Sequence, residues 1–310
     1  MICLIYMKKG ILLILLGMAL HAHGQDFIPL WEEGKMPNSK GIAMTDSIEN
    51  GRWRRVAVPG YYHFRPSKEE NKGAAVMICT PGGYGHHTYD IAGFQLAKWF
   101  NTIGVSAFVL INRLPHSPDL IDRATGPLTD ARRLMKIIRV HAEEWGIDPL
   151  RVGVMGSSAG GHLAAMLGTC EEDRTHVADD GYETARTDPD FMILVSPVIT
   201  MESEYTHKGS VRNLLGENPS PEQIYWASCE KHVMPGFTPP AFMVHADNDP
   251  AVSSWNSVLF YSALKRAGIP ASLHIFPYGG HSIALRNNPG STQQWTALCE
   301  AWLYEMEMIK

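Results

Sequence analysis

The chain has 310 residues and a formal net charge of -5 at neutral pH, with the apolar and charged fractions of a soluble globular protein. That length suits one large domain or two small ones with a sizeable core. The mild acidity, with no uninterrupted basic run longer than two residues, gives no sign of a nucleic-acid surface.

In chain order, "MKKGILLILLGMALHAHGQ" comes first. A basic start, an apolar core of about ten residues and small residues at Ala22 and Gly24 make the layout of a secretory signal peptide. The expectation is a leader over residues 1–24, cleaved near Gly24, with Met1 or Met7 as the start and a single domain over 25–310. The apolar run falls short of the about 20 residues that span a bilayer. No cysteine follows it directly, so no stable membrane anchor is expected, and the mature protein is read as secreted or periplasmic. Beyond the leader stand Cys79, Cys170, Cys229 and Cys299. They are too few for a disulfide scaffold of this size, and sequence does not choose among their pairings. Cys79 lies in an apolar run and reads as a small core residue.

"RWRRVAVPGYYHFRP" is strand-like without an intervening helix and reads as an antiparallel edge hairpin. Ala74 to Thr80 and Ser106 to Asn112 read as buried strands. "TDARRLMKIIRVHAEEWG" reads as a helix with Leu134, Ile137, Ile138, His141 and Trp145 on one face. Thr129 or Asp130 is placed at its start and Gly146 at its end. "RVGVMG", "DFMILVSPV", "AFMVHAD" and "ASLHIFPY" supply further strands, alternating with helices in "SSWNSVLFYSALKRAG" and "TQQWTALCEAWLYEMEM". The alternation predicts an α/β fold, a mostly parallel central sheet with helices on both faces. Between about 200 and 239 it breaks down. Ser220, Pro221 and Gln223 mark a capped helix there, and the region is read as a helical insertion near the site.

Chemistry concentrates around "VGVMGSSAGGHLAAM". Gly156-Ser157-Ser158-Ala159-Gly160 has the spacing G-x-S-x-G, which describes a sharp strand-to-helix turn lifting the central hydroxyl above a sheet. Ser158 is the candidate nucleophile and Ser157 an ordinary turn serine. A serine needs a base, and the base an orienting carboxylate. In an open α/β sheet these belong just beyond the carboxyl ends of strands. "AFMVHADNDPAV" offers Asp249 there, with Asp247 as its rival, and "LHIFPYGGHSI" offers His281. The oxyanion of the reaction needs backbone amides. Gly82, Gly83 and Tyr84 in "CTPGGYGHH" are candidates, with the amide of Ala159 as the second donor. His162 reads as a packed helix residue, His245 as a loop-shaping one, and His86 and His87 as pocket-lining candidates. No histidines or cysteines fall at metal-ligand spacing, so neither metal nor cofactor is expected.

With these residues in hand, the chain resembles an α/β-hydrolase of the secreted bacterial esterase type related to acetylxylan and feruloyl esterases. The segments that carry the resemblance are "TPGGYG", "GPLTDARRLMKIIRVHAEEWGIDPLRVGVMGSSAGGHLA", "PPAFMVHADNDPAV" and "SVLFYSALKRAGIPASLHIFPYGGHSI". Ser158, Asp249 and His281 follow the chain order of that superfamily. The chain departs from the family's usual pattern at Tyr84, which follows two glycines rather than three, at Ala246 and at Ser282. The resemblance implies hydrolysis of O-acetyl esters on xylan-like polysaccharides or oligosaccharides, with the acetylated carbohydrate as the partner. Feruloyl esterase and serine exopeptidase are the alternative enzymes, and a glycan-binding protein with a dead site the non-enzymatic one.

Overall fold

The computed structural model describes residues 26–171, 181–182, 184–202, 204–281 and 283–310. The predicted leader therefore lies outside the described residues. The described residues form ten strands: β1 (Phe27–Pro29), β2 (Ser47–Glu49), β3 (Arg52–Arg55), β4 (Gly60–Phe64), β5 (Ala74–Cys79), β6 (Val105–Ile111), β7 (Val152–Ser157), β8 (Met192–Val195), β9 (Ala241–Ala246) and β10 (Ala271–Phe276). Eight form one sheet in the order β1-β4-β6-β5-β7-β8-β9-β10. β1 and β4 run antiparallel at one edge, and every pairing from β6 to β10 is parallel.

The inner strands are near-continuous apolar runs because helices cover both faces. α1 (Gln95–Thr102) and α7 (Trp295–Glu305) pack on one face through Phe100, Trp295 and Leu303. α2 (Gly126–Val140), α3 (Ala159–Thr169) and α6 (Trp255–Arg266) cover the other through Leu134, Leu163 and Phe260. Between β8 and β9 lie α4 (Lys208–Leu215), α5 (Pro221–Trp226) and a 3-10 turn at Cys229–Lys231. α5 starts with a reciprocal capping box between Ser220 and Gln223, which satisfies two end amides at once.

Two sequence expectations need correction. "RWRRVAVPGYYHFRP" is not a hairpin: β3 pairs with β2 in a separate two-stranded sheet, while β4 joins the main sheet beside β6. The two halves find different partners on either side of Pro59. The long helix starts at Gly126, not at Thr129 or Asp130, and ends at Val140, followed by turns to Gly146. Pro127 in its first turn is preorganised for helix. Asp130 is fully buried inside it and caps nothing. Its carboxylate accepts from the Arg113 guanidinium (2.8 Å), the Arg113 amide (2.8 Å) and Trp31 Nε1 (3.0 Å). The four described cysteines are all free.

Candidate active site

Strand register brings the chemistry together. Cys79 of β5 lies level with Gly156 of β7, Ser157 with Val195 of β8, and Ala246 of β9 with Phe276 of β10. The loops leaving these strands start from one end of the sheet, where open α/β folds place their ligands.

Ser158 stands between β7 and α3 at φ 55° and ψ -124°. This is sparsely populated backbone for a residue with a side chain, and the packing around it must hold it there. A Cβ at Gly156 would run into the Gly160 carbonyl, and one at Gly160 into the Cys79 carbonyl. Both glycines are thus required by close approach of backbone to backbone. Ser158 Oγ lies 2.8 Å from His281 Nε2, and His281 Nδ1 lies 2.7 Å from Asp249 Oδ2. The carboxylate accepts a hydrogen bond from Nδ1–H, which leaves the Nε2 lone pair for the serine hydroxyl. Such an arrangement can draw a proton from the hydroxyl as it attacks a carbonyl and return it to a leaving group.

The carboxylate of Asp249 has no exposed side-chain surface, whereas Asp247 is exposed and its carboxylate accepts from Ser254 Oγ at 3.4 Å. Asp249 Oδ1 accepts the Ala251 and Val252 amides at 2.8 and 2.9 Å. Burial pushes its pKa up. Bonds from His245 and His281 and from those amides more than offset this, and hold it well below the usual carboxylate range. Asn248 ties the neighbouring loops together, its Oδ1 accepting the Gly279 and Gly280 amides at 3.0 and 2.9 Å. This fixes His281 relative to Asp249 and had no signature in the sequence.

The loop after β5 forms a turn closed by the Gly85 amide on the Gly82 carbonyl at 2.9 Å. Both central residues have positive φ, Gly83 at 62° and Tyr84 at 61°. That is the demand of a type I′ turn. Left-handed backbone is costly for a tyrosine. Tyr84 is held there by its side chain, whose hydroxyl donates to His162 Nδ1 at 2.7 Å in the core. His162 Nε2 faces the Ala227 carbonyl at 2.7 Å and must carry the ring proton, so Nδ1 is the acceptor. Asn213 of α4 donates to the Gly83 carbonyl at 2.8 Å. Across the trans peptide the Tyr84 amide then points away from Asn213. As the first residue of α3, Ala159 has no intrahelical acceptor for its own N–H, at the positive end of the helix.

A cleft of about 370 Å³ opens beside Ser158 and His281, walled by Ile91, Leu96, Val195, Ile283 and Leu285. Gly82 and Ser157 also reach it, so both serines touch the cleft but only Ser158 meets the imidazole. His86 and His87 do not line it, contrary to expectation. His87 is buried and bonded to Thr80 Oγ1 (2.9 Å) and the Asn112 carbonyl (2.8 Å). His245 is buried too, bonded to Ser257 Oγ at 2.8 Å and the Val252 carbonyl at 3.0 Å. Among the described residues no group of His, Cys, Asp and Glu is arranged to hold a metal ion. No helix among them is long and apolar enough to cross a membrane.

The chain is 36% identical over 218 residues to an acetylxylan esterase of Xylanibacter ruminicola, a match covering 69% of this chain and 42% of that one. It is 36% identical over 217 residues to endo-1,4-beta-xylanase B of Butyrivibrio fibrisolvens, covering 68% of this chain and 33% of that one. It therefore spans less than half the length of these curated relatives. Among solved structures, an acetyl ester-xyloside bifunctional hydrolase from Caldicellulosiruptor lactoaceticus superposes with a TM-score of 0.78 at 34% identity, covering 92% of this chain and 98% of that one. The fold is that of the α/β-hydrolase esterases. With the BD-FAE family model matching residues 64–264, well over half of its length, the chain belongs to the BD-FAE family.

Proposed function

We propose that the protein is a serine esterase that removes O-acetyl groups from xylan-like plant polysaccharides or oligosaccharides. The observation that carries this reading is the unbroken line of hydrogen bonds from Asp249 through His281 to Ser158. The similarity to an acetylxylan esterase and to an acetyl ester-xyloside hydrolase supports the substrate class.

In this reading Ser158 Oγ attacks the ester carbonyl as His281 Nε2 takes its proton. The oxyanion is held by amides of the Gly82-Gly83-Tyr84 loop and by the Ala159 amide, and His281 returns the proton to the departing sugar oxygen. Water then repeats the sequence on the acetyl-enzyme. Asp249 keeps its proton-free, charged form throughout and holds the imidazole tautomer. Losing one oxyanion donor in such a site costs about 10² to 10³ in kcat. The acyl portion sits in the apolar cleft. The protein works outside the cytoplasm after loss of a leader ending near Gly24.

The cleft of about 370 Å³ is larger than an acetyl group needs, and this one observation favours a second reading with a bulkier acyl group such as ferulate. The experiment is a comparison of kcat/KM for acetylated xylo-oligosaccharides, nitrophenyl acetate, methyl ferulate and an aminoacyl nitroanilide. Fastest release of acetate is expected. A faster ferulate selects the second reading, and a faster anilide overturns both.

A further inference from the structure

The residue capping α4 stands beside the proposed oxyanion loop. His207 Nδ1 lies 3.2 Å from the Ser210 amide and 2.8 Å from Ser210 Oγ. A ring nitrogen that accepts from a backbone amide carries no proton, so the neutral ring is protonated on Nε2. Burial, helped by the nearby His281, lowers the pKa of His207, while Asp249 pulls the other way. The ring is therefore neutral at neutral pH, with its single N–H fixed in place. Its Cε1 lies 3.9 Å from where a side chain on Gly83 would begin. Farther along the same helix, Asn213 grips the Gly83 carbonyl.

Nε2 has no partner among the described residues, and the ring is only half-buried. It is a donor whose ring is held in place from its other nitrogen. His207 is also absent from the walls of the apolar cleft beside Ser158. The two halves of an ester diverge at its carbonyl carbon. If the acyl half enters that cleft, the alcohol half is left outside it, and His207 stands beside Gly83 of the loop proposed to hold the carbonyl oxygen. An apolar wall suits an acyl chain, and a fixed N–H suits an oxygen-rich alcohol.

We propose that His207 Nε2–H donates to a hydroxyl or ring oxygen of the sugar that carries the scissile acetyl group. This makes His207 a specificity-determining residue for the alcohol half of the substrate, and it rests on the esterase reading above. Nothing in the acyl-transfer steps requires it.

The test uses the full chain with His207→Asn. Asparagine keeps an acceptor at the N-cap, where it is among the best residues, but its side chain is too short to present the same donor. An O-acetylated methyl xyloside is compared with nitrophenyl acetate, whose leaving group offers no hydroxyl. About a tenfold loss of kcat/KM is expected on the xyloside, mostly in KM, as befits one hydrogen bond to a bound hydroxyl. Less than about a twofold change is expected on nitrophenyl acetate. His207→Gln, with an amide N–H on a longer stem, should recover part of the xyloside loss. Equal losses on both substrates, or an unchanged ratio, overturn the assignment. If the wild-type protein releases no acetate from the xyloside but cleaves nitrophenyl acetate, the carbohydrate reading fails first, which is a different result.

Discussion

His245 Nε2 lies 3.4 Å from Oδ2 of Asp249, the same oxygen that His281 Nδ1 approaches to 2.7 Å. Asp249 is thus surrounded by donors. Two rings face one of its oxygens, and two backbone amides bond the other. A neutral amide at this position would direct an N–H group at ring N–H groups. Asp249→Asn should therefore lower kcat by about 10⁴, the cost of a wrong imidazole tautomer in comparable triads. Asp247→Asn should stay within about twofold, as for an exposed residue away from the chemistry. Steady-state kinetics on nitrophenyl acetate separates the two. Equal effects would show that the carboxylate has been misassigned.

The two adjacent serines make a second contrast. Ser157 ends β7, and Ser158 alone meets His281. Ser158→Ala should lower kcat by about 10⁵ to 10⁶, leaving what binding and the oxyanion donors achieve without a nucleophile. Ser157→Ala should retain at least about a third of the activity. Labelling by a serine-directed phosphonate, located by peptide mass, gives an independent check, and a label on Ser157 would reverse the assignment.

The site was legible where its logic is local or lies at strand ends. The G-x-S-x-G spacing is a five-residue property, and Asp249 and His281 each follow a recognisable strand. What was missed depends on contacts distant in sequence. Asp130 has the look of a helix cap, but Arg113, 17 residues earlier, claims its carboxylate. "RWRR" and "YYHF" look like two arms of a hairpin, but their partners are β2 and β6. Asn213 reaches Gly83 across 130 residues, and Asn248 reaches Gly279 across 31. An asparagine in a polar loop carries no sign of such a task. His86 and His87 were misplaced because two neighbouring histidines say nothing of which way each ring turns.

The buried Tyr84 hydroxyl supports a third prediction. It stays protonated, because burial pushes its pKa well above the ordinary tyrosine value. Tyr84→Phe removes the donor to His162 Nδ1 and leaves a buried acceptor unsatisfied, a loss of about 1 to 3 kcal/mol. It also removes what holds left-handed backbone at a residue whose amide is proposed to bind the oxyanion. Stability by urea titration should fall by that amount, and kcat should fall while KM changes little. A variant as stable and as active as wild type would show that this bond does not position the loop.

His87 and His162 are both buried, and both pKa values are pushed down to about 4, chiefly because burial opposes the charged ring. In each, a backbone carbonyl bonded to Nε2 pulls the value up without overcoming burial. In the unfolded chain the same rings take a proton near pH 6.5. Between about pH 6.5 and 4 the unfolded state binds more protons than the folded one. Unfolding free energy therefore falls as pH falls through that window. The contribution of these rings is fully present above pH 6.5 and gone by about pH 4, and amounts to on the order of 3 kcal/mol for each. Asp249 adds nothing to the slope in most of this window. Its folded pKa is depressed, so its contribution is present above the ordinary aspartate value of about 3.9 and is lost only at lower pH. Urea midpoints measured from pH 7.5 down to 4.5 should thus drop steeply below pH 6.5, while those above pH 7 stay level. A flat profile, or one that rises with acid, would show that these two rings are not held neutral in the folded protein.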